Sequence, residues 1–263
     1  MNNYFKKISQ LASSWIKSIH GLFGNEDFSE EKDEFVAIVS HQLRTPVSAL
    51  LGYMSLLRDG NYGKLTSEQL NVINKSLKIT LGMERMIDNF LSVSHAERGV
   101  LKFHFEKTDL RDIIDEVAER HEMQAKRKEL QIKWLRPDNP VYIDADIGKL
   151  SNVFSNILDN ALKYTEKGGV SIRILEDKRK GIVEIFIKDT GMGITSEDEK
   201  NIFKSFYRGK KVHNIEPAGA GLGLHVARMV IEGHGGTIRI EGTKEGAGTT
   251  FAVELPDMPE KIK

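Results

Sequence analysis

The stretch from Phe35 to Leu57 reads F-V-A-I-V-S-H-Q-L-R-T-P-V-S-A-L-L-G-Y-M-S-L-L. At about 100° per residue, Phe35, Val39, Leu43, Leu50 and Leu57 form one apolar seam of a helix. His41 falls on the opposite side, so the spacing predicts an imidazole that points away from a helix buried along its other face. Thr45, four residues on, shares nearly the same face. Pro46 removes the amide that would bond to the Gln42 carbonyl, which predicts a bend just after His41. An exposed neutral imidazole beside a bend has the chemistry of a nucleophile.

Outward from this helix, Asp59-Gly60-Asn61 and Gly63 are turn residues that end it near Arg58. A second helix is expected after Thr66 or Ser67, with apolar positions at Leu70, Ile73, Leu77, Leu81, Ile87 and Leu91. Two such helices cannot bury their stripes alone. Pairing with a second copy in a four-helix bundle is the economical solution, and packing onto the following domain is the alternative. Upstream, Met1 to Gly24 carries no acidic side chain, and Phe5, Ile8, Leu11, Trp15, Ile16, Ile19 and Leu22 share one side of a helical wheel. Residues 1–30 therefore read as an amphipathic helix and linker. The helix either contacts an anionic membrane surface through residues 1–24 or packs on its twin or a partner.

Lys plus Arg and Asp plus Glu balance at 38 each, so no basic field argues for nucleic acid. The absence of cysteine excludes disulfides and thiolate metal sites and fits a reducing compartment. The eight histidines show no paired zinc spacing. No apolar run approaches the ~18 residues of a membrane span, and there is no secretory signal. A cytoplasmic protein is expected, with a peripheral position at the inner face of the membrane as the refinement the leader would bring.

From Val100 the pattern changes to alternating strands and helices. Leu101 to Phe105 alternates like a strand, Thr108 or Asp109 caps a helix through Lys128, and short strands follow at Leu130–Leu135 and Val141–Ile143. A long helix from Asp146 to Thr165 precedes strands near Val170–Leu175 and Ile182–Lys188. A helix from about Leu222 to Glu232 and a hairpin, Thr237–Glu241 with Thr249–Leu255, close the chain. The expected architecture is an α helical hairpin over residues 31–99 and, over 100–257, an α+β sandwich whose mixed sheet carries helices on one face.

On the long helix, Asn152, Asn156, Asn160 and Lys163 share one arc, while Leu150, Val153, Phe154, Ile157, Leu158 and Ala161 cover the other side. Neutral oxygen donors and an ammonium in a row suit Mg²⁺ with its polyphosphate, because carboxamides ligate without repelling phosphate. Two glycine-rich segments agree. Asp189-Thr190-Gly191-Met192-Gly193 follows a strand, so its carboxylate can accept from a base amine. Gly219-Ala220-Gly221-Leu222-Gly223-Leu224 opens a helix, whose free amides suit phosphate. Neither segment has the ending of a Walker P-loop or the order of a dinucleotide fold.

Within its apolar frame, the hexapeptide His41-Gln42-Leu43-Arg44-Thr45-Pro46 resembles the phospho-acceptor box of sensor histidine kinases of two-component signalling. The asparagine helix, D-T-G-M-G, I-F-K-S-F-Y-R-G and G-A-G-L-G-L-H-V-A-R-M-V-I-E-G-H-G-G resemble, in order, the N, first glycine, phenylalanine and second glycine boxes of that family's Bergerat-type ATP domain. Gyrase B and related ATPases share the fold, so the acceptor box upstream decides the subfamily. The resemblance spans roughly residues 30 to 256.

It implies a homodimer that uses ATP and Mg²⁺, phosphorylates its own His41 and passes the group to an aspartate of a separate response regulator. It makes Asn156 the Mg²⁺ ligand, places Asn160 and Lys163 at the phosphates and sets Tyr164 against adenine. Asp189 would accept from the adenine amino group in a pocket shaped by Gly191 and Gly193. Gly219, Gly221, Gly223 and Leu224 would border the triphosphate. Residues 194–218 would form a lid in which Arg208 offers charge to phosphate and Phe203 and Phe206 pack on the hairpin or in local core. Thr45 occupies the position that orients water for regulator dephosphorylation. One departure stands out: the family usually has Asp or Glu directly after the histidine, and here that residue is Gln42. An amide orients the ring but takes no proton at neutral pH. The competing reading is therefore a kinase-impaired, nucleotide-gated scaffold or regulator phosphatase.

Overall fold

The structure, a computed structural model, describes residues 29–97, 101–209 and 221–258. The expected helix over residues 1–24 and Gly219 lie outside the described residues, as does the part of the lid over 210–218. The hairpin, up to Leu101, and an α/β unit that begins at Lys102 are separate compact units.

In the hairpin, α1 (Ser29–Arg58) and α2 (Ser67–Glu97) pack antiparallel. The turn works through Gly60 and Gly63, both at positive φ. α2 starts in a reciprocal capping box: the Gln69 amide donates to Thr66 Oγ1 at 3.2 Å, and the Thr66 amide donates to Gln69 Oε1 at 2.9 Å. The helix assignment runs through Pro46 without a break, because the residues around it supply the remaining ladder. The expected seam is corrected in one respect. Among the described side chains of the hairpin, Ser40 and Val47 of α1 and Leu77, Thr80 and Ile87 of α2 are buried, whereas Leu50 is 47% exposed. Each helix has one apolar strip for its partner in the hairpin and a second that the single chain leaves open. Tyr53, Val72, Ile79, Leu81 and Met83 belong to that open surface. Among the described residues no helix is long and apolar enough to cross a membrane.

In the second unit, β1 (Glu106–Asp109) pairs antiparallel with β3 (Tyr142–Ala145). The main sheet has the order β2-β4-β5-β7-β6, formed by β2 (Gln131–Leu135), β4 (Gly169–Asp177), β5 (Ile182–Asp189), β7 (Gly248–Pro256) and β6 (Thr237–Lys244). Only β2 and β4 run parallel. Alternation fixes its two faces. Val170, Ile172 and Ile174, Val183, Ile185 and Ile187, and Phe251, Val253 and Leu255 point to the buried side. α3 (Leu110–Arg127), α4 (Ile147–Lys163) and α6 (Gly223–Gly233) supply the other half of the core through residues such as Ile114, Phe154, Ile157 and Ile231. The opposite face is polar: Arg239 ion-pairs with Glu184, Glu241 and Glu254, and Arg173 lies over the Phe186 ring. This is the expected one-sided α+β sandwich.

Asp109 and Asp146 cap α3 and α4 by accepting the amides of Arg111 and Lys149. Leu101 to Phe105, expected as a strand, is not one. Phe103 lies against Gly233, where a Cβ would come within 2.2 Å of the ring, and both Phe103 and Phe105 turn edges to His234. The His104 amide donates to Asp146 Oδ2. The alternation is satisfied by side-chain packing on a helix end rather than by a ladder.

Candidate functional site

The long helix α4 presents the predicted polar arc. Asn152 is exposed, while Asn156, Asn160 and Lys163 are half-buried opposite the core residues. Asn156 Nδ2 is buried and has no hydrogen-bond partner. Its carboxamide abuts Gly223, the first residue of α6, where a Cβ would meet Asn156 Oδ1 at 2.4 Å. Any larger residue there would have to displace that carboxamide. The site therefore joins an unsatisfied amide donor to a helix start whose first amides have no intrahelical acceptor, a combination that suits an anion. Gly221 has φ +69°, a conformation suited to glycine, and Leu224 follows within α6.

At the other end of α4 the D-T-G-M-G loop is assembled. Asp189 ends β5 and is 6% exposed; its Oδ1 accepts the amides of Gly191 at 2.8 Å and Thr249 at 3.2 Å. Burial pushes its carboxyl up, against the pull of those backbone donors. A Cβ on Gly191 would strike the Tyr164 carbonyl oxygen at 2.4 Å, and one on Gly193, at φ +69°, would strike the Lys244 carbonyl oxygen at 2.1 Å. The Met192 amide donates to the Tyr164 carbonyl at 3.1 Å, and the Gly246 amide to the Met192 carbonyl at 2.8 Å. The glycine loop is thus fastened between the end of α4 and the β6–β7 turn. Lys163 Nζ lies 5.2 Å from the Tyr164 ring centroid.

In the lid, the short helix α5 (Ser196–Glu199) is capped by Thr195, and the Tyr207 hydroxyl donates to Asp198 Oδ1 at 2.7 Å. Phe203 meets Phe251 edge-on, and its carbonyl lies 3.0 Å from His225 Nδ1, which favours the local-core alternative for this residue. Phe206 has φ +60°, and Arg208 is half-buried beside it. A cavity of about 50 Å³ lies beside Met192, Ile194 and Ile202.

Three contributors went unread in the sequence. Thr165 is fully buried, its hydroxyl donates to the Ala161 carbonyl, and it backs Gly191. Gly248 sits at φ +92° under the Asp189 carbonyl, and Thr249 donates to the Asp189 carboxylate. Their signals were a threonine closing the asparagine helix and the Gly-Thr-Thr that opens the last strand. Of the hairpin positions, Gln42 and Thr45 are exposed in α1, and His41 lies in the same helix with its ring outside the described side chains.

Residues 145–259 match the family of histidine kinase-, DNA gyrase B- and HSP90-like ATPases, the class that this sandwich and its glycine loops define. Residues 31–99 match the His Kinase A (phospho-acceptor) domain. The sensor histidine kinase WalK of Bacillus subtilis is 32% identical over 94% of the chain and 40% of its own length. The sensor protein SrrB of Staphylococcus aureus is 31% identical over 97% of the chain and 43% of its own. Among solved structures, full-length ShkA in complex with AMPPNP superposes with a TM-score of 0.67 at 28% identity, over 85% of this chain and 46% of that one. The catalytic domain of histidine kinase ThkA superposes with a TM-score of 0.51 at 29% identity, over 60% of this chain and 99% of its own. With both halves present in tandem, the chain belongs to the sensor histidine kinases of two-component systems. It spans about two fifths of the length of these curated relatives.

Proposed function

We propose that the chain is an ATP-dependent protein-histidine kinase that phosphorylates His41 and passes the phosphoryl group to an aspartate of a response regulator. The observation that carries it is the buried, unpartnered Asn156 Nδ2 donor against Gly223 at the start of α6. The division follows the two functions, with residues 31–99 for dimerisation and phosphotransfer and residues 100–257 for ATP. Asp189 accepts from the adenine amino group, Gly191 and Gly193 let backbone approach the base, and Tyr164 lines its face. Asn160, Lys163 and Arg208 hold phosphate oxygens; the glycine-rich segment Gly219, Gly221, Gly223 and Leu224 is assigned to the triphosphate, with the first amides of α6 as donors.

Asn156 fits a Mg²⁺ ion held mainly by phosphate: its carboxamide oxygen is a neutral ligand of the kind the ion takes, its unpartnered Nδ2 can donate to a neighbouring phosphate oxygen, and the described residues contain no cluster of His, Cys, Asp or Glu that would bind the ion by itself. Bound there, the ion would offset charge on the leaving polyphosphate. The unprotonated ring nitrogen of His41 attacks the γ-phosphorus, the bond to the β-bridging oxygen breaks, and its electron pair leaves with ADP. The proton on the other ring nitrogen must then depart. Gln42 accepts a hydrogen bond from it and orients the ring, but leaves the proton to water.

Gln42→Glu is therefore expected to label His41 faster, by about tenfold or more, in a rapid-quench assay with γ-labelled ATP. An unchanged or lower rate contradicts the assigned role of Gln42. Thr45, exposed four residues on, is assigned the orienting of water that attacks the regulator's phospho-aspartate. Thr45→Ala should lose that dephosphorylation while His41 still labels; retained dephosphorylation removes Thr45 from the mechanism. The open strip of Leu50, Tyr53, Val72, Ile79 and Leu81 supports assembly of two hairpins into a four-helix bundle. Sedimentation equilibrium should give a dimer, and a strict monomer at micromolar concentration contradicts this.

A further inference from the structure

Lys128 follows α3 as its C-cap and lies beside the end of α4. An ammonium has three protons to donate, and this one meets three backbone carbonyls: Leu162 at 2.7 Å, Lys163 at 3.0 Å and Thr165 at 3.2 Å. The last four carbonyls of an α-helix lack intrahelical partners. At the end of α4 all four are filled. Asn160 accepts the Tyr164 amide, Ala161 accepts the Thr165 hydroxyl, and Leu162 and Lys163 accept Lys128. The side chain is solvent-exposed, so burial does not explain the arrangement. A cation at the negative end of a helix dipole does.

The turn that Lys128 grips is the wall of the base pocket. The Tyr164 carbonyl accepts the Met192 amide, and Gly191 is pressed against that carbonyl and the Thr165 hydroxyl with no room for a Cβ. Asp189, which meets Gly191, hangs from the same loop. A second tie from α3 to α4, His121 Nε2 to Asp159 Oδ1 at 3.3 Å, holds the helices one turn earlier. With both helices fixed, the ammonium is the tie from α3 that reaches the carbonyls of Lys163 and Thr165, beside the bonds that Tyr164 and Thr165 make with α4 and with Met192.

We propose that Lys128 is a positioning residue of the nucleotide site, its ammonium clamping the last carbonyls of α4 so that Tyr164 and the Asp189–Gly193 loop stand ready for adenine. The inference rests on the ATP reading above and extends it to a residue outside every glycine and asparagine box. Without the clamp, three carbonyl dipoles converge with only water between them. The turn relaxes, and nucleotide must reorder it on binding.

The test is calorimetric titration of the dimeric chain and its Lys128→Met and Lys128→Arg variants with ADP and with GDP, beside steady-state autophosphorylation. Lys128→Met is expected to bind ADP about three- to tenfold more weakly, to raise KM for ATP by the same factor with kcat little changed, and to leave the weaker GDP binding as it was. Lys128→Arg, which keeps the cation, is expected to recover most of the affinity. Lys128→Gln, with a neutral donor on a shorter stem, gives an intermediate loss and stands in if the methionine variant does not fold. ADP affinity equal to wild type in Lys128→Met, or a loss shared equally by ADP and GDP, overturns the inference alone. A wild-type chain that binds no ADP overturns the ATP reading together with it.

Discussion

Asp189→Asn is expected to weaken ADP binding on the order of 100-fold while the fold stands. The two backbone donors, Gly191 and Thr249, both address Oδ1, and an asparagine oxygen in that place accepts the same bonds. The other terminal atom changes from an acceptor into an NH₂ group, which faces the adenine amine donor to donor. Stability should move the opposite way. Burial raises the Asp189 carboxyl in the folded state, and such a group costs stability once pH rises through its folded pKa. At neutral pH the neutral amide removes that cost, so thermal unfolding should come at the same temperature as in the parent chain or higher. An Asp189→Asn protein that binds ADP as tightly as its parent would remove Asp189 from base recognition.

His41→Gln is expected to abolish acid-labile, alkali-stable labelling with γ-labelled ATP and to leave ADP affinity unchanged. Glutamine keeps a polar side chain of similar reach in a helix interior at little propensity cost, but it has no ring nitrogen with a lone pair to offer phosphorus. The separation of effects follows from the architecture, because every residue assigned to adenine lies in the unit that begins at Lys102. A variant that labels with the same acid and alkali stability would put the acceptor elsewhere in the chain. One that also loses ADP binding would contradict the division of labour.

Much of this was legible in the residues themselves, because the signals were local. Caps at Asp109 and Asp146, the capping box Thr66/Gln69 and the glycine turns set element ends. Alternation through Val170–Ile174 and Val183–Ile187 told the core side of the sheet from the wet side. The polar arc of α4 needed only helical periodicity. The misread parts depend on residues far apart in the chain. The alternation of Leu101 to Phe105 is not that of a strand, since Phe103 answers to Gly233 and His234. Leu50 is exposed although it fits the apolar seam of α1, because one periodic pattern carries both the strip that the hairpin buries and a second strip that it leaves open. Thr249 serves Asp189 across 60 positions, and Lys128 serves Leu162 across 34. No window of periodicity reaches that far.

The most direct measurement is to incubate the native chain with γ-labelled ATP and Mg²⁺, digest it under alkaline conditions and locate the bound phosphate by peptide mapping with ³¹P NMR of the isolated peptide. A single phosphohistidine on the peptide that contains His41 is the predicted result. Phosphate on serine, threonine or another histidine, or none on a preparation that binds ADP, would contradict the account.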